Sequence, residues 1–237
     1  MIPSQRALFD LPREVTYFNA AYMGPMPKLA AQAGADSYAK KQQPWRFNVQ
    51  EDFFDVPETF RSQAAQLYRS TGDDIAIVPA ASYGLATAAL NLVPDEGTDI
   101  LVLDEQFPSN IYVWRTLGQA CGARVKTVSR SDNQSWTEAM LGAISPRTSI
   151  VACPQVHWAD GGMLDLPAVS EAARMQGAAL VLDLTQSLGV LPFDLHAIQP
   201  DFAVSACYKW LLGPYTLGAL YVDLQHQSGE ALEENWI

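Results

Sequence analysis

Residues 178–187 read AALVLDLTQS. The apolar side chains from Ala179 to Leu182 are too few for a helix and run straight into the carboxylate of Asp183, so the segment reads as a short buried strand with polar residues at its carboxyl end. Comparable runs lie at Ile75 to Val78, Ile100 to Leu103, Arg124 to Val128, Ser149 to Ala152 and Phe202 to Ser205. Most are separated by segments long enough for a helix, namely Tyr83 to Leu92, Asn110 to Ala120, Trp136 to Ala143 and Leu166 to Gln176. Short apolar strands alternating with helices predict an α/β domain whose mostly parallel sheet is covered on both faces. The last run, Gly218 to Val222, follows a Gly/Pro segment too brief for a helical crossover and is expected to pair antiparallel.

Upstream of this alternation, Tyr17 to Pro27 (YFNAAYMGPMP) is rich in Gly and Pro and reads as a loop, followed by helices at Lys28 to Gln42 and Val56 to Ser70. The expected organisation is therefore an N-terminal loop with helices over 1–70 and a large α/β domain over 71–237. With 237 residues, 49% of them hydrophobic, the chain can bury a sizeable core. A formal net charge of −11 argues against nucleic acid or an anionic membrane surface as a partner, so any bound phosphate must be held by local groups. Cys121, Cys153 and Cys207 lie far apart without metal-ligand spacing, which points to a reducing compartment and no structural metal. No apolar run approaches the ~18–20 residues that span a bilayer, and the start MIPSQRALFDLPRE has no apolar stretch after its charges, so a cytoplasmic protein is expected.

Ligands of open α/β sheets collect at the carboxyl ends of parallel strands, here followed by PAASYG, DEQFPSN, PQVHWADGG, DLTQS and ACYKWLLGP. Taken alone, Asp183 is equally compatible with a structural carboxylate held by a helix N-terminus or an arginine. Lys209 lies in an apolar segment, where desolvation would favour its neutral, nucleophilic amine, although a lysine there normally snorkels to solvent. Consecutive strand ends bring the two to one crevice. Pyridoxal 5′-phosphate (PLP) needs that pair: a carboxylate to keep its pyridine nitrogen protonated and a lysine to hold its aldehyde as a Schiff base.

The segments LVLDLTQSLGVLPFD (180–194) and DFAVSACYKWLLGP (201–214) resemble the class V aminotransferases of PLP fold type I, which include cysteine desulfurases, kynureninases and isopenicillin epimerase-like proteins. The likeness runs over nearly the whole chain. It implies a three-layer αβα large domain with a mainly parallel seven-stranded sheet and one antiparallel strand, with Lys209 as the attachment point, Asp183 on the pyridine nitrogen and Gln186 beside the phenolic oxygen. Tyr208 would contact the phosphate, as in the kynureninase-like branch. Ala81 and Ser82 fall where a strand gives way to a helix, so backbone N–H groups and the Ser82 hydroxyl could hold the phosphate against the helix dipole; the plainer alternative makes Ser82 an N-cap. By position Phe107 would cover the ring and Trp158 face the ring or substrate, while His157 and Asp160 read as supports. The opening YFNAAYMGP matches a family loop that reaches the site, implying a substrate-side role for Asn19 and Ala20.

There are departures. Ala206 stands where the family often has a phosphate-binding hydroxyl, Cys207 reads as a small core residue, and the usual C-terminal domain is expected to be mostly missing beyond Ile237. The resemblance implies a homodimer acting on an amino acid or keto acid; Phe107 and Tyr208 weaken the desulfurase reading, which favours aminotransferase or epimerase-like chemistry, with a desulfurase or kynureninase-like lyase as the alternative. A non-catalytic PLP-binding domain is the rival from another class. A doubly wound nucleotide-binding domain would need a GxGxxG turn after its first strand, and AASYGLA does not supply one.

Overall fold

The computed structural model describes residues 3–234; Met1 and Ile2 of the opening segment and the last three residues of the closing LEENWI lie outside them. The strands are β1 (Ile75–Val78), β2 (Asp99–Leu103), β3 (Arg124–Val128), β4 (Thr148–Pro154), β5 (Ala179–Asp183), β6 (Phe202–Ala206) and β7 (Gly218–Val222). They form one sheet in the order β1-β7-β6-β5-β4-β2-β3. β3, β2, β4, β5 and β6 run parallel, and β7 pairs antiparallel with both β6 and β1. The strand pattern expected from the sequence is the one the chain adopts, with ends differing by a residue or two.

Alternating side chains of the strands feed two cores. On one face Leu101, Leu103, Leu180 and Leu182 pack with Tyr68, Trp136, Met140 and Val169; on the other Ile100, Val102, Val181 and Val204 pack with Leu85, Ala88 and Trp114. The first layer comes from α2 (Val56–Tyr68), α5 (Trp136–Ala143) and α6 (Leu166–Met175), with the short α7 (Leu195–Ile198); the second comes from α3 (Ala81–Asn91) and α4 (Ser109–Cys121). Tyr68 is fully buried and its hydroxyl donates to Ala219 O at 3.1 Å, which docks α2 on β7. A helix at Lys28–Lys41, α1, also forms as its Ala-rich composition predicts, but it buries none of its residues.

Strand register sets the position of the site. Asp183 pairs with Pro154 of β4 and Val204 of β6, while Gly218 of β7 pairs with both Ala206 and Val78. The segments that follow β1, β4, β5 and β6 therefore leave the sheet at one rim. α3, which packs on β5 and β6, starts at that rim. Its approach to the sheet is close at Gly84, where a Cβ would lie 2.7 Å from Val204 Cγ2.

Candidate active site

At the rim is a cavity of about 160 Å³, far larger than the ~10–15 Å³ that admits a single water. Ala81, Ser82, Phe107, Trp158, Asp183, Gln186, Tyr208 and Lys209, scattered over more than half the sequence, all line it. The site therefore collects residues from the ends of β1, β2, β4, β5 and β6.

Asp183 and Lys209 are both buried, at 8% and 6% exposure. Burial raises the Asp183 carboxyl above the usual carboxylate range, against hydrogen bonding to Thr185 and the attraction of Lys209, which pull it back. Thr185 N–H donates to Asp183 Oδ1 at 3.0 Å, and Thr185 Oγ1 accepts from Ala206 N–H at 3.2 Å, so Thr185 ties the β5 end to the β6 end. Lys209 is pushed below its ordinary 10.5 by burial, with Asp183 opposing. Its ammonium makes no hydrogen bond or ion pair with any described residue; Nζ sits 5.5 Å from the Phe107 ring centroid and 5.8 Å from that of Tyr208. Burial thus shifts this amine toward its neutral form, the form in which an amine is nucleophilic.

Gln186 has its amide fixed by two partners. Trp210 Nε1, which can only donate, bonds to Gln186 Oε1 at 3.1 Å, and Gln186 Nε2 donates to Ala21 O at 3.0 Å. That leaves one Nε2 hydrogen for a ligand. The same N-terminal loop meets the Lys209 segment through Gly24, whose N–H donates to Tyr208 O at 2.9 Å. The loop thus reaches the site through Ala21 and Gly24, whereas Asn19 and Ala20 are not among the residues lining the cavity; Asn19 O instead closes the loop on itself by accepting from Tyr17 Oη and the N–H groups of Tyr22 and Met23.

The start of α3 disposes of the plainer reading of Ser82. The N-cap is Ala80, in extended conformation and with no side-chain cap, and Ser82 is the second helical residue. An alanine side chain cannot cap, so the N–H groups of Ala81 and Ser82, two residues of the cavity lining, have no capping acceptor at the positive end of the helix dipole. Tyr208 and Tyr215 meet nearby with ring planes tilted by 31° and centroids 4.5 Å apart. Thr216 also lines the cavity at a φ of 66°, a strained setting for a β-branched residue.

On the opposite wall Phe107 and Trp158 meet edge to face at 5.4 Å, and Trp158 Nε1 donates to Glu105 O. His157 and Asp160 build the loop beneath them. His157 is 1% exposed, with Nε2 3.0 Å from Asp104 O and Nδ1 3.1 Å from Asp160 Oδ1. Burial works to raise the Asp160 carboxyl, but hydrogen bonds from Gly162 N–H, Arg130, Trp136 and His157 outweigh it and hold the group well below the usual range. Cys207 is buried, and its thiol is pushed up to about 12. Among the lining residues that the sequence did not single out as site residues are Thr185, Gln106 and Thr216. Thr185 carried a signal, standing two residues after a strand-end carboxylate, where a backbone N–H can cap it.

The sequence model of the family described as aminotransferase class-V matches residues 31–232. An uncharacterized aminotransferase, YcbU of Bacillus subtilis, is 28% identical over 187 residues, covering 79% of this chain and 48% of that protein. The kynureninase of Deinococcus radiodurans is 25% identical over 244 residues, covering 98% of this chain and 58% of that protein. The chain thus spans about half the length of these curated relatives. Among solved structures, a mutant of C-DES with glycine covalently linked to its PLP cofactor superposes with a TM-score of 0.84 at 21% identity, over 94% of this chain and 60% of that one. At that identity the likeness establishes the shared fold.

Proposed function

Because the chain belongs to the class V aminotransferase family, we propose that it holds PLP through Lys209 and acts on amino acids, by aminotransferase or epimerase-like chemistry. The observation that carries this reading is the buried Lys209 amine, without a hydrogen-bond or ion-pair partner among the described residues, sharing one cavity with the buried Asp183 carboxylate. The donor set fits the cofactor. Lys209 offers the amine for its aldehyde, Asp183 the acceptor for its ring N–H, Gln186 the remaining amide hydrogen for its phenolic oxygen, and the Ala81 and Ser82 N–H groups, with the Tyr208 hydroxyl, meet the phosphate.

When bound, PLP supplies an electron sink for the pair released at a substrate α-carbon. The chain's own residues do the rest. Asp183, desolvated and capped by Thr185, would accept from the ring N–H and favour its protonated form. Lys209 would remove and return the α-proton of a bound substrate, and burial shifts its amine toward the neutral form that this role needs. Phe107 and Trp158, both on the cavity lining, would stand against the ring. Asn19 and Ala20, on the loop anchored by Ala21 and Gly24, would stand on the substrate side of the cavity.

The Phe107 and Tyr208 choices support transamination or epimerisation over desulfuration. On this reading the cofactor domain is 71–237, preceded by a loop-and-helix segment at 1–70. Pairing with a second copy is supported by the unburied α1, whose Leu29 and Tyr38 face solvent. Among the described residues no helix is long and apolar enough to cross a membrane, and a cytoplasmic setting accords with three unpaired cysteines.

Absorbance of the protein incubated with PLP tests the reading. A band near ~420 nm that is absent from Lys209→Ala is the expected result, together with a change of that band on adding amino acids. No band with the parent protein would contradict cofactor binding; a band that no amino acid alters would contradict the enzymatic reading.

A further inference from the structure

Gln106 lines the same cavity and is 7% exposed, yet no protein group accepts from its Nε2. Four buried side-chain polar atoms lack a partner among the described residues, and of their residues, Ser70, Gln106, Asn110 and Gln155, only Gln106 lines the cavity. The orientation of its amide is not free. Gln106 Oε1 accepts from Phe107 N–H at 3.1 Å, and a flipped amide would set donor against donor. Nε2 is thereby left presenting its hydrogens away from that bond, and a buried amide donor without an acceptor is costly to keep.

The charge inventory says what would relieve it. Lys209 is the one cation and Asp183 the one carboxylate among the described lining residues, and no arginine is present. On the cofactor reading, on which this inference rests, Lys209 is occupied by attachment, so anionic oxygens in the cavity must be met by neutral donors. The α3 N–H groups are one such set. We propose that Gln106 Nε2 is another: a ligand-binding donor to an anionic oxygen, either of the cofactor or of the substrate carboxylate, held in place by the backbone of the residue whose ring walls the site.

Gln106→Glu separates this role from a structural one, because it keeps the acceptor for Phe107 N–H and replaces only the two donors with an anionic oxygen. Gln106→Met, similar in size and without donors, guards against misfolding of the charged variant. The readouts are the PLP concentration that half-saturates the ~420 nm band and the amino-acid concentration that half-saturates its change. In both variants at least one should rise by about tenfold or more. A rise for PLP assigns the oxygen to the cofactor; a rise for the amino acid alone assigns it to the substrate. Both values within about twofold of the parent protein's in both variants would overturn the proposal while leaving the cofactor reading intact. Absence of the band from the parent protein would overturn both.

Discussion

A lysine reacts with an aldehyde only as the free amine, and at Lys209 burial moves the balance toward that form. The sign follows from the cause. Desolvation penalises the ammonium, so the group loses its proton at lower pH than an exposed lysine, and the nearby Asp183 charge reduces the shift without reversing it. The rate of PLP capture should therefore rise with pH and level off with a midpoint below 10.5, the ordinary lysine value; stopped-flow absorbance across a pH series measures it, and a midpoint at or above that value would contradict the assigned environment. Asp183 and Lys209 were legible in the sequence because each closes or follows an apolar strand, where an ionisable side chain demands a reason. Gln106 gave no such signal. An amide beside a phenylalanine has an ordinary composition, and its significance lies in a hydrogen bond that only the folded backbone defines.

Between elements, the tightest contact around the site is that of the N-terminal loop with the lysine segment. A Cβ on Gly24 would lie 1.9 Å from Lys209 O, a backbone atom that no rotamer change can move aside. Gly24→Ala should leave the sheet folded, since Gly24 contributes to neither core, but must lift the loop and release the bond from Gly24 N–H to Tyr208 O. The expected outcome is a weakening of PLP binding by about tenfold, with faster proteolytic cleavage within 17–27; unchanged binding and unchanged cleavage would show that the loop does not brace the site. The strands were readable almost to the residue because apolar runs alternate with helix-length polar segments. The loop's seat was not, since Gly and Pro mark a turn without saying what it rests on. Ser82 shows the same limit: its residue type suits an N-cap, yet the structure begins the helix at Ala81 and puts Ala80 at the cap.

For the whole molecule, register turns separate segments into a site. The pairings of Asp183 with Pro154 and Val204, and of Gly218 with Ala206 and Val78, align five strand ends so that residues from 79 to 217 share one cavity. That convergence was inferable as a class of architecture, because parallel α/β sheets gather ligands at their carboxyl rim; the buried carboxyl and amine within it were inferable from Asp183 and Lys209 together. The unburied α1 was not, because its Ala-rich sequence predicts a helix without assigning it a partner. Lys209 is the only buried lysine; Lys28, Lys41 and Lys126 are exposed and Lys40 is engaged with Asp52. Peptide mapping by mass spectrometry after borohydride reduction of the PLP-loaded protein is therefore the most direct test: a single pyridoxyl adduct on Lys209 is predicted, and an adduct absent from Lys209 or spread over the other four lysines would contradict its assignment as the cofactor's attachment point.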